Sequence, residues 1–173
     1  MVRELTAGIT GKTVIKVDEE VSAKRAASGE MDVFGTPFMI ALMERTADES
    51  VRPYLEDGCA TVGTLVNVKH IAATPMGMEV YATSELIEVD GRRLVYKVYA
   101  YDETGLIGEG IHERFIIFKE KFMEKTNNKV TWEMAQQLLG EHFGLGNPLK
   151  LNKRQEERLR KAYDENFKDQ EAA

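Results

Sequence analysis

The sequence predicts an α+β protein in which one long helix packs against an antiparallel meander. Three observations carry this reading. A single strongly helical pattern occupies residues 36 to about 52. Several runs with a period of two follow it, and tight turns join them. Short turns force neighbouring strands to be antiparallel, which excludes alternating βαβ units.

Taken in order, Thr13–Val17 is a short β-type run. Ser22–Asp32 is small, polar and charged, and reads as a loop or lid. Gly35-Thr36-Pro37 opens the helix, with the Thr36 hydroxyl as the expected cap and proline at the first helical position. Met39, Leu42, Met43, Thr46 and Ala47 follow at helical spacing, and the pattern ends near Pro53. Ala60–Lys69 then alternates, with Ala60, Val62, Thr64, Val66 and Val68 on one face. Val80–Val89 and Leu94–Tyr101 are further strands across Asp90-Gly91, a strong hairpin signal because glycine tolerates positive φ. Asp102-Glu103-Thr104-Gly105 turns into a last strand, Leu106–Lys119. One helix covers one sheet face only, so the uncovered edge and face predict a dimer.

Composition changes after residue 125. Asn127-Asn128-Lys129 reads as a linker, and Thr131 opens a second helix striped by Met134, Leu138, Leu139 and Phe143. Gly144–Pro148 breaks it, and Asn152 is placed to cap a last charged helix. The expected organisation is a domain over 1–125 and a helical extension over 126–173.

The 173 residues carry a net charge of −6, with 43% hydrophobic and 30% charged side chains, which suits one globular domain with an appendage. The acidic total disfavours a nucleic-acid partner. One cysteine, Cys59, forms no internal disulfide and fits a reducing compartment. Neither a signal-peptide core nor an apolar run of about 20 residues is evident, so the expectation is a cytoplasmic protein without a membrane partner. The three histidines fall in separate elements. With one cysteine they make no zinc pattern, and glycine-rich nucleotide cradles are absent, so neither a metal nor a cofactor is expected.

The chemistry concentrates between Phe34 and Pro75. Thr36, Glu44 and His70 supply a hydroxyl, a carboxylate and an imidazole, a set suited to acid/base or nucleophilic acyl chemistry. Each has a plainer reading. Thr36 can simply cap its helix, Glu44 can sit on a solvated face beside Arg45 and Asp48, and His70 can be a turn residue at a strand end. Gly63 interrupts a β-branched strand, as a bulge or as a point of close backbone approach. His112 and Arg114, two apart on one strand, face the same side, and a half-buried structural histidine is the better reading of His112.

Val33-Phe34-Gly35-Thr36, Ala41-Leu42-Met43-Glu44, Thr61-Val62-Gly63, His70 with Ala72-Ala73-Thr74-Pro75, and Gly110-Ile111-His112-Glu113-Arg114 occur in an order that resembles the hotdog-fold acyl-CoA thioesterases. Among these the chain is most similar to the fluoroacetyl-CoA thioesterase-like family, over residues 10–120. The resemblance implies a hotdog fold, with the sheet wrapped around the central helix, and a homodimer with its active site at the subunit interface. It also implies catalysis by Thr36, Glu44 and His70, with Gly63 and Arg114 lining the pocket, and an acyl-CoA substrate whose coenzyme A is the only cofactor-like group. Fluoroacetate specificity is not carried over: the family's lid precedes the threonine, and Ala26–Asp32 has no match to an aromatic gate. The extension past Phe122 is also outside the family pattern.

Eight residues of helix advance about 12 Å, so Thr36 and Glu44 of one chain cannot touch. The expectation is that Thr36 of one protomer works with Glu44 of the other. Arg92, Arg93 and Lys97 are candidates with Arg114 for a basic rim facing the coenzyme A phosphates. Two rival readings keep the fold: an acyl-CoA or apolar-ligand sensor whose helical tail binds a partner, and a hydratase acting on enoyl-CoA without releasing thiol.

Overall fold

The computed structural model describes residues 4–142 and 151–165. The chain divides into two compact units, Met1–Ile117 and Phe118–Ala173. The first contains β1 (Thr10–Lys16), α1 (Thr36–Val51), β2 (Cys59–His70), β3 (Glu79–Asp90), β4 (Arg93–Asp102) and most of β5 (Gly105–Phe118). These strands form one sheet in the order β1-β3-β4-β5-β2. The pairs β1–β3, β3–β4 and β4–β5 are antiparallel.

Both hairpin turns sit where turn chemistry places them. Asp90 pairs with Arg93 across a two-residue loop in which Gly91 has φ +56°, a conformation costly for any residue with a Cβ. At the second turn, one Asp102 carboxylate oxygen accepts from the Thr104 backbone and hydroxyl at 2.8 and 2.7 Å, and the other accepts from Thr74 at 2.9 Å.

The long helix lies on one sheet face because its 3.6-residue period matches a continuous apolar stripe. Met39, Leu42, Met43, Thr46, Ala47 and Val51 are buried. They meet a core that includes Val80, Ala82 and Leu86 from β3, and Leu94, Tyr96, Val98 and Ala100 from β4. The strand residues alternate, as a sheet with one covered face requires. At β5, a Cβ on Gly110 would strike the Asn67 carbonyl and the Val68 backbone, so glycine there lets β2 pack tightly. β2 closes one end of the sheet order and leaves Leu65 and Val66 each 42% exposed. Such a strand edge is a pairing surface.

Residues 22–34 form a tied loop. Ala23 N–H donates to Val33 O at 2.9 Å, Phe34 N–H to Thr74 O at 2.9 Å, and Lys24 pairs with Asp32 at 2.8 Å.

In the second unit, α2 (Lys119–Asn127) fills the stretch between the expected end of the last strand at Lys119 and the expected linker at Asn127-Asn128-Lys129, where the sequence reading sets no element. The period of two stops at Phe118, and Lys119–Asn127 is a mostly charged run, interrupted by Phe122 and Met123, with Thr126 its one β-branched residue. The α3 helix spans Trp132–His142 and α4 spans Lys153–Tyr163. Asn152 caps α4 in a reciprocal box with Gln155. Trp132 meets Tyr163 edge-on at 5.3 Å, and the Tyr163 hydroxyl donates to Val130 O at 2.7 Å. Phe143 and the Gly144–Pro148 break lie outside the described residues. Among the described residues no helix is long and apolar enough to cross a membrane.

Candidate active site

Two clusters of polar side chains border α1, one at its N-terminus and one near its middle. The first joins Thr36 to His70. Thr36 does not cap the helix. Gly35 occupies the cap position, Thr36 is the first helical residue, and no side chain caps the end. With the chain extended at Gly35, the hydroxyl is free to reach the end of β2, where Thr36 Oγ1 lies 2.8 Å from His70 Nδ1. The imidazole is held from several sides. Phe34 meets it edge-on at 6.4 Å, and Ile71 N–H anchors the following loop on Ile107 O at 2.8 Å. His70 Nε2 is buried without a hydrogen-bond partner. Burial pushes the imidazole below its ordinary titration range, with the Ala72 backbone opposing. Beside it opens a cavity of about 320 Å³ bordered by Val33, Phe34, Thr36, His70 and Ala72.

The second cluster surrounds Glu44. Its carboxylate is half-exposed and lies against Gly63 of β2: a Cβ there would collide with Glu44 Oε1 and come within 3.3 Å of His112 Cε1. Gly63 is therefore a close-approach glycine. Glu44 Oε1 stands 3.9 Å from both His112 Nε2 and Arg114 Nη1.

Arg114 is buried at 7% exposure. Its Nε donates to Thr61 Oγ1 at 2.7 Å, and Nη2 donates to Thr61 O at 2.9 Å and Asp48 Oδ1 at 3.2 Å. Nη1 points to His112 Nε2 at 3.2 Å and to the Glu44 carbonyl at 3.5 Å. Thr61 in turn donates to Asp48 Oδ1 at 2.6 Å. Burial pushes Asp48 upward, but the Thr61, Arg52 and Arg114 donors outweigh it and hold the carboxyl below its ordinary value.

The predicted residues thus fall into two groups. Thr36 and His70 meet within the chain at the start of α1, while Glu44, Gly63 and Arg114 meet around the middle of the same helix. Among the described residues no hydrogen bond links the groups. Asp48, read from sequence as part of a solvated face, is a partner of Arg114. Its signal was the four-residue spacing from Glu44, which puts both carboxylates on one helix face. Two of the other basic candidates are engaged elsewhere. Arg93 is bidentate to Glu113 at 2.6 and 2.9 Å, and Arg92 lies over the Phe115 ring at 4.8 Å.

A model of the fluoroacetyl-CoA-specific thioesterase family matches residues 17–120. The chain is 47% identical over 98 residues to a fluoroacetyl-CoA thioesterase of Streptantibioticus cattleyicolor, covering 57% of this chain and 70% of that protein. A solved fluoroacetyl-CoA thioesterase structure superposes with a TM-score of 0.71 at 36% identity, over 75% of this chain and 100% of the other. A thioesterase superfamily member from Thermus thermophilus superposes at 0.64 with 25% identity, over 84% and 98%. The fold is that of the hotdog thioesterases. The chain belongs to the fluoroacetyl-CoA-specific thioesterase family.

Proposed function

We propose that this thioesterase hydrolyses a small or medium acyl-CoA as a homodimer. Each site would take Thr36 and His70 from one protomer and Glu44, beside Gly63, from its partner. The observation that carries this reading is the separation of the two clusters along one helix. Thr36 and His70 share a 2.8 Å hydrogen bond, whereas Glu44 stands about 12 Å further along α1. The apolar edge of β2, with Leu65 and Val66 exposed, is a surface on which a second copy would complete the site.

In this arrangement Glu44 acts as general base on water, or as nucleophile through an anhydride that water then opens. In the first route Glu44 takes a proton from water and the oxygen bonds to the acyl carbon. The C–S bond then breaks, and the departing thiolate accepts the proton. Thr36, held by His70, lies at the positive end of α1, where developing negative charge on the thioester oxygen is favoured. The Gly63 main chain approaches from the other side. The absence of an aromatic residue in Ala26–Asp32 supports ordinary acyl groups rather than fluoroacetyl.

Free-thiol release from acyl-CoAs of increasing length, measured for the wild type, Glu44→Ala and His70→Ala, tests this. A loss of about a hundredfold or more in each variant is expected, the usual scale for an acid/base group. Tight acyl-CoA binding without any thiol release would instead point to a sensor.

A further inference from the structure

His112 is the most deeply buried ionisable side chain beside the Glu44 cluster, at 1% exposure, and the proposed reaction does not use it. Its surroundings dictate its protonation. Nδ1 lies 2.8 Å from the Leu65 carbonyl, which can only accept, so Nδ1 carries a hydrogen. Nε2 lies 3.2 Å from Arg114 Nη1, which can only donate, so Nε2 presents a lone pair. The ring is therefore neutral, with its tautomer set from both ends, and the Tyr96 ring stacks against it at 6.2 Å. Burial, the largest influence, favours the same neutral form.

The Arg114 guanidinium has five N–H bonds. Thr61 takes two, Asp48 one, the Glu44 carbonyl one and His112 the last. No donor remains for the Glu44 carboxylate, which stands 3.9 Å from Nη1, outside hydrogen-bond range. A carboxylate gripped directly by a guanidinium is a weaker base and a weaker nucleophile. Without a neutral acceptor at the His112 position, the freed Nη1 hydrogen has an obvious alternative partner in Glu44 Oε1.

We propose that His112 is a positioning residue that acts as a spacer, occupying the Arg114 donor nearest Glu44 and so keeping the Glu44 carboxylate close to Arg114 but unbonded. The inference rests on the thioesterase reading for its catalytic consequence, though not for its geometry. It also assigns Arg114 to the scaffold of the site, with no donor left for the phosphates of coenzyme A.

Two amides separate the functions of the ring. His112→Asn keeps a donor near Leu65 O but is too short to reach Arg114. His112→Gln carries an acceptor out to the Nε2 position. In a crystal structure of the Asn variant, Arg114 Nη1 is expected to close on Glu44 to direct hydrogen-bond distance, about 2.9 Å. Its kcat should fall about tenfold or more, with KM changed less. The Gln variant should keep the two apart and retain kcat within a few-fold of wild type. Equal kcat in the two variants, or an unchanged Arg114–Glu44 separation in the Asn protein, overturns the spacer role. If the wild type cleaves no thioester the proposed reaction fails, and the Arg114–Glu44 distance still decides the spacer. Should the Asn protein not fold, a Gln variant with full thermal stability and kcat lowered tenfold would overturn the proposal, and near-wild-type kcat would support it.

Discussion

Thr36 and His70, thirty-four residues apart, share a hydrogen bond of 2.8 Å within the same chain. The hydroxyl is available for this because Gly35, not Thr36, occupies the helix cap. A capping threonine contributes about 1 kcal/mol to stability. Thr36→Val should therefore lower thioester turnover while shifting the thermal midpoint by less than loss of a cap would. A drop in Tm of the size expected for a lost cap would restore the capping role.

The two clusters make a prediction about mixed dimers. Thr36→Ala and Glu44→Ala proteins should each be nearly inactive. Unfolded together and refolded at equal ratio, half of the dimers would be mixed, each with one intact site, so activity should return to about a quarter of wild type. Recovery absent from a verified heterodimer would place Thr36 and Glu44 of one chain in the same site.

Gly63 gives a cleaner separation of fold from chemistry. The first atom an added Cβ meets is the end of the Glu44 side chain, which can swing away. Gly63→Ala should thus fold with near-normal stability and lose at least tenfold in kcat as Glu44 is displaced. A crystal structure of the variant with Glu44 unmoved would contradict this account.

His70 sets an acid limit. Its pKa is lowered from 6.5 chiefly by burial, against a smaller opposing effect of the Ala72 backbone. At neutral pH the ring is uncharged, and activity should be lost only as pH falls through a value below 6.5. The sign for stability follows from proton uptake. Between the lowered folded value and 6.5 the unfolded chain binds a proton that the folded chain refuses, so stability declines as pH falls through this window. His112 is lowered in the same direction, by burial first, and adds to the slope. NMR titration of both imidazoles checks it: the His70 resonance should titrate below 6.5, and His70→Gln should remove only part of the stability slope.

Arg114 and Asp48 predict the largest stability effect. Their side chains are 8% and 18% exposed and stand 3.2 Å apart. Arg114→Met leaves Asp48 with Thr61 and an exposed Arg52, and breaking such a pair costs about 3–5 kcal/mol. Chemical denaturation should show a smaller loss for Asp48→Asn, which keeps an amide oxygen for Thr61 and Arg114 and leaves the guanidinium 3.9 Å from the Glu44 carboxylate.

Most of the fold was legible because its signals are local. Period two, the Asp90-Gly91 turn and the apolar stripe of α1 are written in neighbouring residues, as is the Asn152 cap. The helix that starts at Lys119 is not legible because Phe122 and Met123 are adjacent in a charged stretch and give it no helical stripe. At the site, the ordered motifs brought Thr36, Glu44, Gly63, His70 and Arg114 forward together. The sequence alone leaves two features unstated: that the Thr36 hydroxyl turns from the helix to His70, and that Arg114 is spent on Thr61 and Asp48. Both depend on contacts between residues more than thirty positions apart.

Glu44 and Asp48 are one helical turn apart, a rise of about 6 Å. Gly63 and Thr61 on β2, like His112 and Arg114 on β5, are two strand residues apart, a rise of nearly 7 Å. Three elements of different periodicity thus keep a common ruler, with Glu44, Gly63 and His112 at one mark and Asp48, Thr61 and Arg114 at the next. Such a gauge tolerates changes of side chain far better than changes of chain length. A single inserted or deleted residue in any of the three would break the match, so variation among functional relatives should fall outside these stretches and be free in the loops that join them.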